Sequence, residues 1–462
     1  MDTTTSAFRL TVPFLPVGAA LFCIQLDFFS LNLALPTIAT GLGSPVTDLQ
    51  WLLSGYMIAL GALLIPAGRA GDIVGRRTVL LAGLAIFGIT SLICGLTSDV
   101  SVLISARVAQ GVGAALIFPN AFALVTNATA EKDRPRILGT LLGLAGTGTA
   151  LGPVVGGVLA STAGWRWVFL LNVPIVALAI MGVRRLSESR DRSGPRSLAD
   201  LDWPGVATIV VGLALVSIAV DDIAVEGLAS PETLVPLAVG GVLLVAFMVI
   251  ETRVARPLVR PSLMRSHLYV VLLVAGTIAN IGSVVYVLGA TLDLQEVRGL
   301  SPAVAGLAFF VSSVGLALCG PLAGRLSVRY PAGMVMGAAL VLSAPALSLL
   351  ALAGPLPVYV VALALCGITT GMGYALGQIA VQNVLPPDRS AEGTSVMLTM
   401  LISVGGVGVV AATVVVEALG DGRPTAAGIA TTLYAIAGCL LLAGIVTLVV
   451  EARRSKAVTG HR

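Results

Sequence analysis

The chain has 462 residues, of which 57% are hydrophobic and 11% are charged, and a further 53 are glycine. Soluble domains average about 25% charged residues, so this composition excludes a water-soluble fold. The formal net charge of +4 is first tested as a topology signal, because the cytoplasmic loops of membrane proteins are enriched in Lys and Arg.

The reactive residues of the chain argue against metal, redox and hydrolytic chemistry. Its five cysteines lie in apolar runs, and its two histidines, His267 and His461, lie beside a run and in the tail. This placement supports neither a disulfide framework nor a zinc, haem or iron–sulfur site, so no cofactor or metal is expected. The chain has no G-x-x-x-x-G-K-[ST] run for a nucleoside triphosphate, and nothing favours binding to nucleic acid. We therefore expect a protein that is not an enzyme and that draws its energy from an ion gradient.

Fourteen apolar runs approach the length of about 20 residues that a helix needs to cross the hydrocarbon core of a membrane. The alternation over about ten residues that is typical of a membrane β-barrel is absent from the sequence, so we predict an all-α integral membrane protein with fourteen transmembrane helices. The first run is interpreted as a retained span, because it is too long for the apolar region of a signal peptide. The approximate limits of the runs are 12–39, 48–68, 78–97, 100–126, 137–161, 166–183, 203–221, 233–251, 268–292, 302–323, 332–353, 357–383, 393–418 and 428–450.

Basic residues segregate to one side of this arrangement. If both termini are cytoplasmic, 23 of the 27 basic residues fall in the inner segments. The outer loops hold only Arg166, Arg298 and Arg423, and Arg107 falls within a run. This distribution follows the positive-inside rule, so the net charge reports topology. We expect a multi-pass protein of a bacterial plasma membrane with both termini in the cytoplasm; the near absence of lysine is typical of a GC-rich bacterial genome.

Two polar, arginine-bearing inner segments bracket the seventh and eighth runs and leave six runs on either side, as expected for two six-helix halves. A weak repeat supports this division, because Gly68-Arg-Ala-Gly-Asp72 after the second run is echoed by Ala323-Gly-Arg-Leu-Ser327 after the tenth. The predicted parts are an N-terminal six-helix bundle at 1–183, a cytoplasmic loop at 184–202, inserted helices at 203–251, a cytoplasmic loop at 252–267, a C-terminal six-helix bundle at 268–450 and a cytoplasmic tail at 451–462.

The first run carries an aspartate, Asp27, about twelve residues and so roughly 18 Å from its outer end. A carboxylate near the middle of the bilayer is costly unless it is paired, hydrated or protonated, so it indicates a functional site. A fixed ion pair or a hydrogen bond to a neighbouring helix is the structural alternative. Gln25 and Asn32 share one face of this run and are candidate cavity-lining residues, whereas Asp27 lies about 200° around the helix from Gln25.

The segment after the second run is a candidate inner gate. It contains glycines for tight turning, one carboxylate and a basic pair, and its gate residues are Gly68, Asp72, Gly75, Arg76 and Arg77. A carboxylate near the N-terminus of a facing helix is favoured by the helix dipole, and its ion pairs could break when two halves rock. The alternative is an ordinary solvated turn.

The fourth run places Arg107, Gln110 and Phe118 on one stripe. An arginine stays protonated at any working pH. A cation beside Asp27 favours the ionised carboxylate whereas burial favours the neutral acid, and this opposition is what a proton switch needs. We predict that Asp27 and Arg107 form the proton-coupling and substrate pair and that Gln110 and Phe118 line the cavity. The alternative is an arginine that snorkels and only fixes this helix to its neighbours.

The fifth run has a glycine-rich segment with Gly152, Pro153, Gly156 and Gly157. Small residues let membrane helices approach closely, and proline weakens the local ladder of backbone hydrogen bonds. Close packing alone would also explain these residues.

Together these patterns resemble the major facilitator superfamily, and specifically its fourteen-helix drug:proton antiporters, over essentially the whole chain. The gate segment is similar to the signature G-x-L-x-D-R-x-G-R-[KR], with Ala70 and Ile73 as departures, and Arg107 to Gly113 resembles R-x-x-Q-G-x-G, which the family associates with proton coupling. The glycines of the fifth run resemble the signature that marks exporters. Further marks are Asp27 to Pro36, Trp165 to Phe169 with Asn172 and Pro174, and Asp202 to Gly205.

The resemblance implies a secondary exporter that exchanges protons for a small lipophilic compound, cationic or amphipathic, by alternating access. Its expected partners are that compound, protons and the lipid bilayer, and a monomer is the default. A dedicated exporter of one metabolite or antibiotic, serving self-resistance, is the nearest alternative. An uptake symporter is disfavoured by the glycines of the fifth run, and a transport-inactive sensor by the retained Asp27 and Arg107.

Overall fold

The computed structural model describes residues 12–44, 49, 51–190, 202–254, 257–259, 261–300, 302–352, 354–385, 390–419 and 425–459, among which there is no strand. The long helices are α1 (Leu15–Leu42), α2 (Trp51–Val74), α3 (Arg76–Leu96), α4 (Val100–Ala128), α5 (Arg134–Thr162), α6 (Arg166–Leu170 and Asn172–Val183), α7 (Trp203–Glu226), α8 (Pro231–Arg253), α9 (His267–Leu292), α10 (Pro302–Arg329), α11 (Ala332–Leu352), α12 (Leu356–Val384), α13 (Ser390–Ala418) and α14 (Ala426–Thr459).

The membrane-spanning character of these helices follows from their length and composition. Among the described residues, twelve helices are long and apolar enough to cross a membrane, and α5 is a thirteenth if the two pieces around its 41° bend are one span. The remaining long helix, α13, is not among them. The predicted all-α membrane fold is therefore confirmed, whereas the count of fourteen spans stays a prediction.

Helices α2 and α10 run six residues past the predicted ends of their runs, to Val74 and Arg329, and three further helices also differ. Helix α6 is broken at Leu171. A proline ring clashes with the carbonyl group four residues before it, so Pro174 disfavours a regular helix at Leu170, directly before the break. Helix α9 continues into a π-helical turn at Asp293–Val297. Helix α14 runs on to Thr459, through most of the segment at 451–462 that we predicted to be a tail.

Helix starts agree with the side chains that the sequence offers there. Four helices begin after a residue whose side chain accepts a hydrogen bond from the backbone N–H three residues later, which replaces a bond that the first helical turn lacks. These capping residues are Asp99 before α4, Asp202 before α7, Ser230 before α8 and Ser266 before α9.

The helices form two groups with the same internal pairing. In the first group α1 packs against α5 and α6, α2 against α4, and α3 against α4 and α6. In the second group α9 packs against α13 and α14, α10 against α12, and α11 against α12 and α14. The second pattern is the first one moved on by eight helices. Helices α7 and α8 pack against each other, and α7 also contacts α2 and α13.

The two groups meet through α5 with α10 and through α2 with α13. Their closest contacts lie on the side where α2, α4, α10 and α12 end, which we call the basic side. There, a side chain at Gly139 of α5 would lie 2.5 Å from the carbonyl oxygen of Gly320 on α10. Thr126 of α4 donates a hydrogen bond of 2.6 Å to Oε1 of Gln382 on α12. Gly68 of α2 abuts the side chain of Ser395 on α13.

Candidate functional site

An ion pair between Asp27 and Arg107 lies inside the first helix group. Oδ2 of Asp27 is 2.6 Å from Nη1 of Arg107, and both side chains are fully buried. The two predicted coupling residues, which are 80 positions apart in the chain, are therefore in direct contact. An ion pair shielded from water in this way is tightly coupled, because losing either partner leaves the other charge uncompensated.

Polar side chains of α6 and α4 complete the contacts of the carboxylate, and a serine of α3 joins them. Asn172 of α6 donates from Nδ2 to Oδ1 of Asp27 at 2.6 Å, and Nε2 of Gln110 lies 3.3 Å from the same oxygen. Ser91 of α3 accepts from Nε2 of Gln110 at 2.7 Å and from Nδ2 of Asn172 at 3.3 Å. Asp27, Arg107, Gln110, Asn172 and Ser91 form one network from four helices, which we call the carboxylate network.

The guanidinium of Arg107 is also held by α2 and by aromatic rings. Its Nε donates to the carbonyl oxygen of Leu52 at 3.0 Å, and its Nη1 donates to Oε1 of Gln110 at 2.5 Å. Its central carbon lies 4.5 Å from the ring centroid of Tyr56 and 5.8 Å from that of Phe169, close enough for cation–π attraction. Nη2 has no hydrogen-bond partner among the described residues.

The local sequence explains why α4 can present these groups. Arg107 and Gln110 are three residues apart and so lie on one face of the helix. Gly111 lets α4 approach the backbone of α2 at Tyr56, and Gly113 lets it approach α3, where a side chain would lie 2.9 Å from the amide nitrogen of Phe87. The R-x-x-Q-G-x-G pattern thus combines the polar groups with the close packing that buries them.

Asn172, like Ser91, is a network residue to which sequence reasoning assigned no role in the site. It follows the break at Leu171, where α6 restarts, and its side chain is fully buried. The thiol of Cys23 lies 3.4 Å from Oδ1 of Asn172, which fixes the orientation of the amide toward Asp27. The available signal was the position of Asn172 in the tryptophan-rich motif that opens the sixth run.

The remaining predicted cavity residues lie outside this ion pair. Gln25 is half-buried and donates a hydrogen bond of 3.0 Å to Thr149 of α5. Phe118 is 7% exposed and packs against Phe122 with ring centroids 6.5 Å apart. The side chain of Asn32 is outside the described part of the chain. Gln110 belongs to the carboxylate network and is fully buried.

The predicted gate residues gather at the basic ends of α2 and α3. Oδ1 of Asp72 is 2.6 Å from Nη2 of Arg76, and Oδ2 is 3.7 Å from Nη1 of Arg69. Gly75 joins the two helices with a φ of 124°, a conformation that only glycine adopts readily. Gly68 and Asp72 thus lie in the last turns of α2, and Arg76 and Arg77 lie in the first turn of α3, so the segment that we predicted to be a turn is helical except at Gly75.

A glutamate beyond α6 also holds this turn and was missed by the sequence analysis. Glu188 accepts hydrogen bonds from the backbone N–H groups of Arg77 at 2.8 Å and Thr78 at 3.1 Å, and from the hydroxyl of Thr78 at 2.7 Å. It therefore caps the start of α3 from a distant segment. Partial burial raises the pKa of Glu188, but these donated hydrogen bonds outweigh it and lower the pKa below its usual value. No local pattern identifies such a cap.

The glycines of α5 face α1. A side chain at Gly152 would overlap Phe29, with its Cβ 3.2 Å from the Phe29 Cα. A side chain at Gly156 would lie 2.7 Å from the Cα of Ser30. Gly157 is half-buried, and the side chain of Pro153 is outside the described residues. The two glycines bring α5 against the helix that carries Asp27.

No metal site is found among the residues that the structure describes, since no three His, Cys, Asp or Glu side chains cluster there. Asp27 is instead surrounded by amide, hydroxyl and guanidinium groups.

Comparison with known proteins identifies one family. The model of the Major Facilitator Superfamily matches residues 17–290 and 268–462. The cephamycin export protein CmcT of Amycolatopsis lactamdurans is 31% identical over 96% of this chain and 86% of its own length. The puromycin resistance protein pur8 of Streptomyces alboniger is 34% identical over 71% of this chain, and the match spans 65% of the length of that protein.

A third relative is the multidrug resistance protein Stp of Mycobacterium tuberculosis, strain H37Rv, which is 31% identical over 82% of this chain and 71% of its own length. Among solved structures, the human organic anion transporter MFSD10 aligns with a TM-score of 0.67 and 19% identity over 95% of this chain and 98% of its own. The fucose:proton symporter of E. coli aligns with a TM-score of 0.64 and 14% identity over 95% and 99%. Identities this low show a shared fold alone.

Proposed function

Because this chain belongs to the major facilitator superfamily, we propose that it is a secondary exporter of the bacterial plasma membrane. It exchanges protons that enter the cell for a small lipophilic compound, cationic or amphipathic, that leaves it. Export is supported by the relatives, whose names record the export of cephamycin and resistance to several drugs. The observation that carries proton coupling is the buried pair of Asp27 and Arg107 at 2.6 Å.

In this proposal Asp27 carries the proton, and Arg107 is its counter-ion in the ionised state. When Asp27 is ionised, Arg107 and the donors of Asn172 and Gln110 stabilise the carboxylate. When Asp27 takes up a proton, the guanidinium loses its counter-ion and keeps the carbonyl of Leu52 and the ring of Tyr56. Proton binding thus releases one strong contact between α1 and α4. A cationic substrate that approaches Asp27 would compete with Arg107 in the same way.

We further propose that the two helix groups are the six-helix halves of an alternating-access transporter, with α7 and α8 as an inserted pair and both termini in the cytoplasm. The basic side then faces the cytoplasm. The contacts of Gly139 with Gly320, Thr126 with Gln382 and Gly68 with Ser395 hold the halves together on that side. Asp72 and its arginines lie in the same region and act as the inner gate that must rearrange before this side opens.

A dedicated exporter of a single antibiotic is the second candidate function. Several relatives carry the name of one compound, such as puromycin or cephamycin, whereas another is named for multidrug resistance. A narrow substrate range and a broad one use the same proton site, so the two candidates differ only in the substrate cavity.

Everted membrane vesicles test the proposal. Acidification of the lumen should drive accumulation of at least one member of a panel of cationic, neutral and anionic lipophilic compounds, and dissipating the pH gradient should abolish it. Asp27→Asn should remove this accumulation. The matched control is Asp99→Asn, which keeps the cap of α4 because asparagine caps equally well, and Asp99 is exposed. Accumulation that persists in Asp27→Asn would overturn the proton assignment, and accumulation of one compound alone would favour the dedicated exporter.

A further inference from the structure

A pair of buried acidic residues joins α7 to α8 on the basic side. Asp202 precedes α7 and Glu251 lies in the last turn of α8, and they are 7% and 3% exposed. They belong to neither the carboxylate network nor the gate, and the proposed transport reaction does not use them. A buried carboxyl group needs a hydrogen-bond partner or an opposite charge to offset its desolvation.

One oxygen of each carboxyl group is satisfied by the backbone. Oδ1 of Asp202 accepts from the N–H of Gly205 at 3.0 Å and caps α7. Oε2 of Glu251 accepts from the N–H of Val259 at 2.8 Å and ties the segment after α8 to this helix. The other oxygens, Oδ2 of Asp202 and Oε1 of Glu251, receive no donated hydrogen bond from the described residues.

The two remaining oxygens face the same point. A side chain at Gly205 would overlap Oδ2 of Asp202 and lie 3.0 Å from Oε1 of Glu251, so the two oxygens border the same space. Glycine at position 205 leaves the space for this approach. A hydrogen bond between two carboxyl groups exists only when one of them carries a proton, because two adjacent carboxylates repel.

We propose that Asp202 and Glu251 form a proton-binding site, in which one shared proton links the start of α7, the end of α8 and the segment at 257–259. We call this unit the carboxyl clasp. Loss of the proton leaves two negative charges in contact in a buried place, so the clasp opens and Val259 loses its acceptor. The inference does not rest on the proposed transport function.

The charged groups around the clasp leave it without a compensating cation among the described residues. Arg253 and Arg265 on the neighbouring elements are exposed. Helix α2, which packs against α7, carries Arg69 and Asp72 at its basic end, and Asp72 pairs with Arg69 and with Arg76 at the start of α3. On α13, which also contacts α7, Glu392 has a side chain outside the described residues, as do Arg256 and Arg260 beyond α8.

Hydrogen–deuterium exchange of the full-length protein in lipid nanodiscs tests the clasp through the peptide that contains Val259. Exchange is followed from about pH 6 to about pH 9, a range that covers buried carboxyl groups, and is corrected for the intrinsic effect of pH. Opening coupled to the loss of one proton should lower protection by up to about tenfold per pH unit over the range in which the pair titrates. Protection that does not change with pH would overturn the proposal.

Two conservative variants make the test specific. In Glu251→Gln the amide donates to Asp202 and its oxygen still accepts from Val259, so the contacts remain without a titrating proton. Asp202→Asn keeps the cap of α7 and donates to Glu251 in the same way. Both should hold the Val259 peptide protected across the pH range. Glu226→Gln, at the exposed far end of α7, is the control and should behave as the unchanged protein. A pH response retained in both clasp variants would overturn the proposal.

Infrared difference spectroscopy of the unchanged protein gives a readout that needs no variant. A protonated carboxylic acid has a carbonyl stretch distinct from that of a carboxylate, and the clasp should lose this band over the same pH range in which the Val259 peptide loses protection. Absence of such a band in that range would contradict the shared proton. If transport assays fail while the exchange and infrared results hold, the clasp stands and only the proposed transport function is lost.

Discussion

Neutralising Asp27 and neutralising Arg107 should lower the stability of the protein by different amounts. Asp27→Asn leaves the guanidinium of Arg107 without a counter-ion, and arginine cannot shed its proton. Breaking a buried pair on one side costs about 3–5 kcal/mol. Arg107 keeps Leu52 and Gln110 as acceptors and the Tyr56 ring at 4.5 Å. We therefore expect Asp27→Asn to lower the free energy of unfolding by an amount near the lower limit, about 3 kcal/mol.

Arg107→Gln should cost less, because Asp27 can bind a proton and remove its own charge. The donors from Asn172 and Gln110 remain, so we expect a loss of about 1–3 kcal/mol, the scale of an unsatisfied buried polar group. The sign of the pH effect follows. A carboxyl group that must be protonated in the folded protein makes folding more favourable as the pH falls, so this variant should regain stability toward acid pH. Asp27→Asn has no such group and should show no corresponding gain.

Thermal unfolding of the purified variants in one detergent, at about pH 6 and about pH 8 with unchanged protein as the reference, measures both effects. The double variant Asp27→Asn with Arg107→Gln removes both charges and should be more stable than Asp27→Asn alone, since the two sites interact directly. Equal stability of Asp27→Asn and the unchanged protein at both pH values would refute the reasoning. It would mean that the guanidinium finds adequate compensation without the carboxylate.

Three further outcomes are expected. Asn172→Ala removes the donor at 2.6 Å from Asp27 and should shift the pH profile of export while protein levels in the membrane stay normal; an unchanged profile would limit Asn172 to packing. Glu188→Ala removes the acceptor and should destabilise the start of α3 by about 1 kcal/mol, the usual value of a lost cap. Since the pKa of Glu188 is lowered, this stabilisation in the unchanged protein should disappear as the pH falls below the ordinary value of 4.5; unfolding curves against pH measure both effects. Thr126→Val breaks the bond to Gln382 and should increase labelling of a cysteine placed near the basic end of α12, and equal labelling would show that the bond does not hold that side closed.

Much of the fold could be predicted because its signals are local. Long apolar runs and the positions of basic residues fix which segments become helices, and the family assignment follows from short motifs. The limits of the method are visible at α6 and α14. The break at Leu171 depends on one proline ring, and the continuation of α14 to Thr459 depends on charged residues that tolerate a helix outside the membrane, so hydropathy alone identifies neither.

The site was partly predictable for a similar reason. Charged groups inside apolar runs are conspicuous, so Asp27 and Arg107 stand out, and the structure brings them into contact. Asn172 and Ser91 are ordinary polar residues whose importance depends on which helices pack together, and Glu188 acts on a turn 111 residues away. Such long-range partners need the tertiary arrangement. For Gln110 the sequence predicted the helix face on which it lies, but not that it is buried in the carboxylate network.

Helix α2 has a mechanical property that follows from its contacts at both ends. It is continuous from Trp51 to Val74 despite Pro66, it receives the hydrogen bond of Arg107 at Leu52, and it abuts Ser395 at Gly68. The distance from Leu52 to Gly68 along the helix is about 24 Å. A tilt of about 10° about the Leu52 end would displace Gly68 by about 4 Å over that length. In the proposed mechanism α2 would therefore link the Asp27–Arg107 pair, through Leu52, to the contact between the two helix groups at Gly68.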